Sequence, residues 1–257
     1  MTHDLPKPPE GESGWAWFLD LDGTLVPIAP TPLAVQVPEE LPGMLMRLSA
    51  KVDGALAVVS GRTLDAVRGL LAPFDPPAAG LHGIECRDAA GTLHRLNVPE
   101  GIDAIRARLS CLADERQGLL LEDKGVAVAL HYRQAPDLEP VARRAVEEIL
   151  AAHPGFTLLA GKMVFEIKPQ GADKGSALRT FMAQAPFAGR RPVFVGDDVT
   201  DEYGFKAAND MGGLSVLVGP PRETAATFRL DSIEECWSWL ARAGGTVWSP
   251  RTGEGAD

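Results

Sequence analysis

The sequence predicts an α/β fold: a doubly wound, parallel-sheet (Rossmann-like) core that carries an inserted α+β unit. Three observations predict it. Toward both ends of the chain, apolar runs of strand length alternate with amphipathic segments of helix length. Between about 101 and 169 that alternation gives way to helix, two strands, helix, two strands, the order of a compact unit with an antiparallel sheet. The apolar run Trp15-Ala16-Trp17-Phe18-Leu19 stops abruptly at Asp20-Leu21-Asp22. Two carboxylates then stand at the carboxyl end of a buried strand, where open α/β sheets keep their ligands.

The first apolar run suits a strand buried on both faces. Alternate side chains of a strand share a face, so Asp20 and Asp22 are expected to point the same way, about 6.6 Å apart. Gly23 and Thr24 open a turn, and a proline-rich loop over 27–42 leads to a helix near 43–52. Residues 55–60 read as a second buried strand, ended by Gly61-Arg62, with a helix opening at Thr63, and 79–85 read as another short strand. In the middle, 101–117 has helical periodicity and 118–133 reads as a hairpin turning at Asp123-Lys124-Gly125. Residues 138–152 form an amphipathic helix with Arg143, Arg144, Glu147 and Glu148 on its wet side. A second hairpin over 156–167 turns at Gly161-Lys162. The core resumes near Gly171 with a helix running through Ala185, a buried strand at 192–196, a helix at 200–209, a strand at 214–218 and a helix at 232–243. The expected division is therefore 15–100 with 170–243 as the core and 101–169 as the insertion, flanked by mobile tails at 1–14 and 244–257, both rich in Gly, Pro and polar residues.

At 257 residues the chain is long enough to bury a full core. Its net charge of −10, with no basic cluster interleaved with aromatics, argues against nucleic acid as a partner. The longest apolar runs are strand-sized, so no membrane span is expected. The polar, proline-rich start does not read as a secretory signal. Cys86, Cys111 and Cys236 are scattered and odd in number, as in a reduced cytoplasmic protein.

Four separated segments place reactive groups at strand ends or helix starts. Asp20 and Asp22 repel each other unless a cation or a shared proton relieves them, which fits either a metal-assisted reaction with a carboxylate nucleophile or an Asp-rich turn. Ser60-Gly61-Arg62 precedes a helix whose N-terminal N–H groups suit phosphate, although Ser60 equally fits a helix cap. Lys174 stands at a helix start, where a cation is locally unfavourable and asks for a counter-anion; a capping Asp173 with a solvated Lys174 is the alternative. In Gly196-Asp197-Asp198-Val199-Thr200-Asp201-Glu202, four acidic groups follow a buried strand, a costly arrangement without a cation and one made of the oxygen ligands magnesium prefers. Capping explains Asp198 and Asp201 but leaves Asp197 unexplained.

Asp-x-Asp-Gly-Thr, a serine after a strand, a lysine at a helix start and Gly-Asp-Asp-x-x-Asp, in that order, form the signature of the haloacid-dehalogenase-like phosphatases. The chain resembles that superfamily over 15–100 and 170–243, and the insertion resembles the α+β cap of its sugar-phosphatase members. Leu81-His82-Gly83-Ile84-Glu85, Glu122-Asp123-Lys124-Gly125, His131-Tyr132-Arg133, Val164-Phe165-Glu166-Ile167-Lys168-Pro169 and the 196–202 segment are similar to trehalose-phosphatase family sequences, of the type without a preceding synthase-like domain.

The resemblance implies magnesium-dependent hydrolysis of trehalose 6-phosphate through an aspartyl-phosphate. Asp20 would be the nucleophile, Asp22 the acid and base, and Lys174 the catalytic cation. Mg2+ would be held by Asp20, the main-chain carbonyl of Asp22 and Asp197, with Asp198 and Asp201 behind them. Thr24, Ser60, Gly61 and Lys174 would grip the phosphoryl group, Arg62 would complete that shell or simply pair with a nearby acid, and Glu122, Lys124 and Glu166 would hold the sugar. His131 and Arg133 read equally well as a cross-strand surface pair, and His82 and Glu85 as structural. The implied partner is a small-molecule sugar phosphate, acted on by a cytoplasmic monomer with no nucleic acid or membrane partner. The alternatives are a phosphatase for sucrose phosphate or mannosylglycerate phosphate, a phosphomutase, or an inactive sugar-phosphate-binding regulator.

Overall fold

A computed structural model describes residues 5–29, 31 and 34–248. Along the chain, β1 (Trp15–Leu19), α1 (Leu41–Lys51), β2 (Leu56–Val59), α2 (Leu64–Leu71), β3 (Ala78–Gly80), β4 (Glu85–Arg87) and β5 (Leu93–Arg95) come first. A second group follows: α3 (Ile102–Glu115), β6 (Leu120–Asp123), β7 (Val128–His131), α4 (Glu139–Ala151), β8 (Phe156–Gly161) and β9 (Val164–Pro169). The chain closes with α5 (Lys174–Met182), β10 (Arg191–Gly196), α6 (Glu202–Asp210), β11 (Leu214–Val218), β12 (Phe228–Leu230) and α7 (Ile233–Ala243). Two compact units result, one formed by residues up to 94 and from 173 onward, the other by 95–172. These limits lie a few residues outside the 101 and 169 expected for the insertion.

The first unit is built on a sheet in the order β12-β11-β10-β1-β2-β3-β4-β5, parallel from β12 through β3, with β4 antiparallel to β3. β1 sits in the middle because its five residues carry no charge and all five are buried. Successive side chains of a strand face opposite ways, and each of these finds a different aromatic neighbour. Trp17 meets Trp239 of α7 edge-on at 4.9 Å between centroids, while Phe18 meets Phe181 of α5 at 6.0 Å and Phe187 at 5.4 Å. Helices therefore cover both faces, and the core is doubly wound. All the parallel strands of this order end on the same side, so Asp20, Ser60 and Asp197 each follow a strand at that edge.

Three local expectations are corrected. The strand read over 79–85 breaks after Gly80, because Leu81 (φ 51°), His82 (φ 56°) and Gly83 (φ 98°) adopt left-handed backbone and turn the chain back into β4. The helix read through Ala185 stops at Met182, since Pro186 disfavours helical backbone at the residue before it. The first tail, over residues 5–14, is not mobile but docked: Leu5 lies against the core, Pro9 O accepts from Trp239 Nε1 (2.9 Å), Arg229 N donates to Pro6 O (3.0 Å), and Lys7 bonds Asp231 and Glu235 (2.6 Å each). Composition alone does not reveal this docking, because half of these bonds use the tail's backbone carbonyls. Of the second tail, Trp248 stacks on Trp237 at 4.8 Å; residues 1–4 and 249–257 lie outside the described residues.

The second unit is an antiparallel sheet in the order β6-β7-β9-β8, with α3 and α4 packed on it. Alternation sorts its residues. Val128, Leu130, Phe165 and Ile167 enter a core with Ile105, Leu109, Ala142, Val146 and Ile149, while Glu122, Ala129, His131 and Glu166 share the other face. No helix among the described residues is long and apolar enough to cross a membrane.

Removing residues 1–10 takes away the acceptor of the buried Trp239 indole N–H, a loss of about 2 kcal/mol for an unmade buried hydrogen bond. The midpoint of thermal unfolding should then fall by about 4–8 °C. An unchanged midpoint would show that the docked segment contributes nothing to stability.

Candidate active site

Lys174 is the first residue of α5, set there by Asp173, whose carboxylate accepts from Ser176 N (2.7 Å) while Ser176 Oγ accepts from Asp173 N (3.0 Å). A cation at the positive end of a helix needs anions from elsewhere. Two arrive: Lys174 Nζ donates to Asp20 Oδ1 and to Asp201 Oδ1, both at 2.6 Å. All three side chains are 5 % exposed or less, so each of these bonds acts in a medium that screens charge poorly. Asp20 stands one residue beyond β1 and keeps the strand's pairing, with its N–H on Val195 O (2.9 Å). Asp197 follows β10, and Thr24 Oγ1 lies 3.2 Å from its Oδ1 and 3.5 Å from Asp20 Oδ2. Gly23 has φ +89°, and any Cβ there would run into the Asp197 carboxylate, which is why the turn after Asp22 is glycine.

Asp20, Asp197 and Asp201 each offer an oxygen within 4.8 Å of the other two. Burial and then repulsion from Asp201 push the Asp20 carboxyl well above the ordinary range, against the pull of Lys174. Asp197 is pushed up to about 7 by the same two causes in the same order. Burial by itself would lower the Lys174 ammonium, but Asp20 and Asp201 outweigh it and hold the group well above the usual lysine range, firmly charged. One cation thus faces two buried carboxylates and the half-buried Asp197, and the imbalance suits a bound divalent cation. The acids are not equivalent. Asp201 Oδ1 is on Lys174 and its Oδ2 accepts from both Asp197 N (3.0 Å) and Asp198 N (2.9 Å), so both of its oxygens are engaged within the protein. Asp20 Oδ2 and Asp197 remain for a ligand.

Asp22 takes a partner of its own, apart from the Lys174 cluster. The chain leaves the strand at Leu19 and turns, with Leu25 N and Val26 N on Leu21 O (2.9 Å each). The Asp22 carboxylate instead meets Arg62 in a two-pronged pair, Nε to Oδ2 at 2.6 Å and a terminal nitrogen to Oδ1 at 2.8 Å. Ser60 Oγ accepts from Arg62 N (3.1 Å) within its own loop, and Thr63 caps α2. Behind this loop lies the left-handed turn at 81–83. Leu81 N donates to Arg62 O (2.8 Å) and His82 N to Ser60 O (3.0 Å), while Glu85 Oε1 accepts from Leu64 N (3.0 Å) at the start of α2. A Cβ on Gly61 would lie 2.5 Å from the His82 ring, so the loop approaches that ring as only glycine allows. His82 and Glu85, read from sequence as structural, have this role in positioning the Ser60–Arg62 loop.

In the second unit, Lys124 Nζ bonds Glu166 Oε2 (2.6 Å), both nearly buried, and His131 Nε2 meets Glu122 Oε2 (2.8 Å). His131 therefore pairs across strands with Glu122 rather than with Arg133, whose guanidinium donates to Lys162 O (3.1 Å). The expected residues Asp20, Thr24, Lys174, Asp197 and Asp201 converge; Asp22, Ser60, Gly61 and Arg62 form an adjoining group joined through the Arg62–Asp22 pair; Asp198 contributes its backbone N–H to Asp201. Sequence reasoning missed Arg222, which donates to the carbonyls of Asp197 and Asp198. Nothing local to Pro220-Pro221-Arg222 signals it.

The family model described as trehalose-phosphatase matches residues 18–234. A trehalose-6-phosphate phosphatase of Escherichia coli is 44 % identical over 241 residues, covering 93 % of this chain and 90 % of that protein. A probable trehalose-phosphate phosphatase of Sinorhizobium fredii is 48 % identical over 208 residues, covering 80 % and 78 %. Among solved structures, the C-terminal domain of the Candida albicans trehalose-6-phosphate phosphatase superposes with a TM-score of 0.79 at 22 % identity, over 91 % of this chain and 92 % of that one, a likeness of fold. With the signature residues gathered at one edge of a doubly wound sheet and the match spanning both units, the chain belongs to the trehalose-phosphatase family of haloacid-dehalogenase-like phosphatases.

Proposed function

We propose that this protein hydrolyses trehalose 6-phosphate to trehalose and phosphate through an aspartyl-phosphate on Asp20. The observation that carries the reading is the buried Lys174–Asp20 bond with Asp197 alongside, in a chain of this family. The ammonium fixes Asp20 Oδ1 and leaves Oδ2, with one long contact to Thr24, to attack phosphorus. The sugar O6 departs with a proton from Asp22, and Asp22 then takes a proton from the water that cleaves the acyl-phosphate. Arg62 occupies both oxygens of Asp22, so delivery of that proton requires the fork to open. Thr24, Ser60, the Gly61 N–H and Arg62 grip phosphoryl oxygens. Asp20, Asp197 and the main-chain carbonyl of Asp22 are the groups that would hold Mg2+, with Asp198 and Asp201 behind them. When bound, the ion offsets the repulsion between the carboxylate nucleophile and an anionic phosphoester.

Glu122, Lys124 and Glu166 are proposed as the sugar-recognising groups. They are charged acceptors and donors on one sheet face, opposite the side chains that fill the unit's core. The protein is proposed to act as a cytoplasmic monomer without nucleic-acid or membrane partners. Free Cys86, Cys111 and Cys236 fit a reducing compartment, and the net charge of −10 disfavours a phosphate backbone.

Phosphate release from trehalose 6-phosphate, compared with sucrose phosphate and mannosylglycerate phosphate, tests the substrate; faster turnover of either rival overturns it. Asp20→Asn should lower turnover by more than about a thousandfold while sugar-phosphate binding persists, and substantial remaining turnover contradicts the nucleophile assignment. Glu166→Gln should reduce turnover of trehalose 6-phosphate by about tenfold or more and leave p-nitrophenyl phosphate nearly unaffected. Equal losses on both substrates would make Glu166 structural.

A further inference from the structure

The loop that carries Asp197 has an unusual backbone accounting. Asp197 and Asp198 lie between the end of β10 and a short turn at Val199–Asp201, beyond the pairing of the sheet. Peptide groups partly removed from water need partners, and here side chains of opposite charge supply them. The two N–H groups both donate to one anion, Asp201 Oδ2, at 3.0 and 2.9 Å. The two carbonyls both accept from one cation, Arg222: Nε to Asp197 O at 3.3 Å and a terminal nitrogen to Asp198 O at 2.9 Å. The third arm of the guanidinium donates to Glu202 Oε1 at 2.5 Å. Glu202 is itself fixed by Thr224 Oγ1 and by Ala225 N, each at 2.7 Å. The segment after β11 is thereby tied to the segment after β10 through one planar fork.

We propose that Arg222 is a positioning residue for divalent-cation binding, holding the peptide groups of Asp197 and Asp198 so that the Asp197 carboxylate stays aimed at the cluster with Asp20. This rests on the reading of Asp197 as a cation ligand. The reach of the fork matters: a guanidinium presents several donors in one plane, enough for two carbonyls and a carboxylate together, whereas an ammonium is a point charge. The hydrogen bonds of Arg222 go to the 197–198 carbonyls, to Glu202 and to Glu223 O, so it acts on the Asp197 carboxylate through the backbone of that loop. Outer partners that orient a metal ligand change affinity by tenfold to a hundredfold when lost, although they never touch the ion.

The experiment is calorimetric titration of Mg2+ into metal-free protein, which needs no turnover, with turnover against Mg2+ concentration measured alongside. Arg222→Ala should weaken Mg2+ binding about tenfold or more, and saturating Mg2+ should recover most of kcat. Arg222→Lys and Glu202→Gln should fall between Arg222→Ala and the parent, with losses of about threefold or more. Affinity within about twofold of the parent in Arg222→Ala overturns the proposal, as does a raised KM for the sugar phosphate at unchanged Mg2+ affinity. Should Arg222→Ala fail to fold, parental affinity in both Arg222→Lys and Glu202→Gln overturns it instead. Asp197→Asn separates the two readings. If that variant loses Mg2+ binding while Arg222→Ala keeps it, only the role of Arg222 falls; if it binds Mg2+ like the parent, the cation site and this inference fall together.

Discussion

A single buried ammonium organises the first unit of this protein. Lys174 is held out of water by the fold, and a buried cation without partners is untenable, so Asp20 and Asp201 must arrive from two other segments. Removing one member of such a triad leaves an uncompensated buried charge, which costs about 3–5 kcal/mol. The end of β1, the start of α5 and the loop after β10 are thereby locked to one another at the edge of the sheet where the parallel strands finish. The same edge is where peptide groups no longer have ladder partners and side chains take over their hydrogen bonds.

The acids around Lys174 divide their labour through hydrogen-bond capacity rather than through residue type. Asp201 accepts three bonds inside the protein, from Lys174 and from two backbone N–H groups. Asp20 accepts from Lys174 on Oδ1 and has one long contact from Thr24 on Oδ2, and among the described residues the Asp197 carboxylate accepts from Thr24. What is left over is oxygen-rich and short of positive charge, and Asp20 and Asp197 are both displaced upward, first by their removal from water and then by repulsion from Asp201. A scaffold satisfied throughout would have no reason to take up a cation and a phosphoester.

Positioning extends outward in two directions from this cluster. The Ser60–Arg62 loop is held by a turn containing two consecutive left-handed residues that are not glycine, Leu81 and His82. Such backbone costs roughly 1–3 kcal/mol at each residue and persists only where surrounding contacts enforce it. The loop at 197–198 is held by the Arg222 fork. In the second unit, the nearly buried Lys124–Glu166 pair lies on the sheet face opposite its apolar core, a charged arrangement that core formation does not require.

Much of this was legible in the sequence because it is encoded locally. An unbroken apolar run fixed β1 as a central strand, the period of 3.6 fixed α4, and carboxylates just after apolar runs marked the ligand edge. The docked segment at 5–14 and the break at 81–83 were not legible, since backbone carbonyls and left-handed φ angles leave little trace in residue type. The sequence by itself determined the fold class and most of the elements, for these depend on periodicity, and strand-end chemistry within a few positions pointed to candidate reactive residues; β5 and β12, three residues each, were too short to leave a pattern. Only the tertiary structure decided who pairs with whom: Arg62 with Asp22 across 40 positions, Lys174 with Asp201 across 27, Arg222 with Asp197 across 25. Those choices follow from strand order and loop course, which bring distant charges within reach where water is excluded and where a charge has to take the partner that geometry supplies.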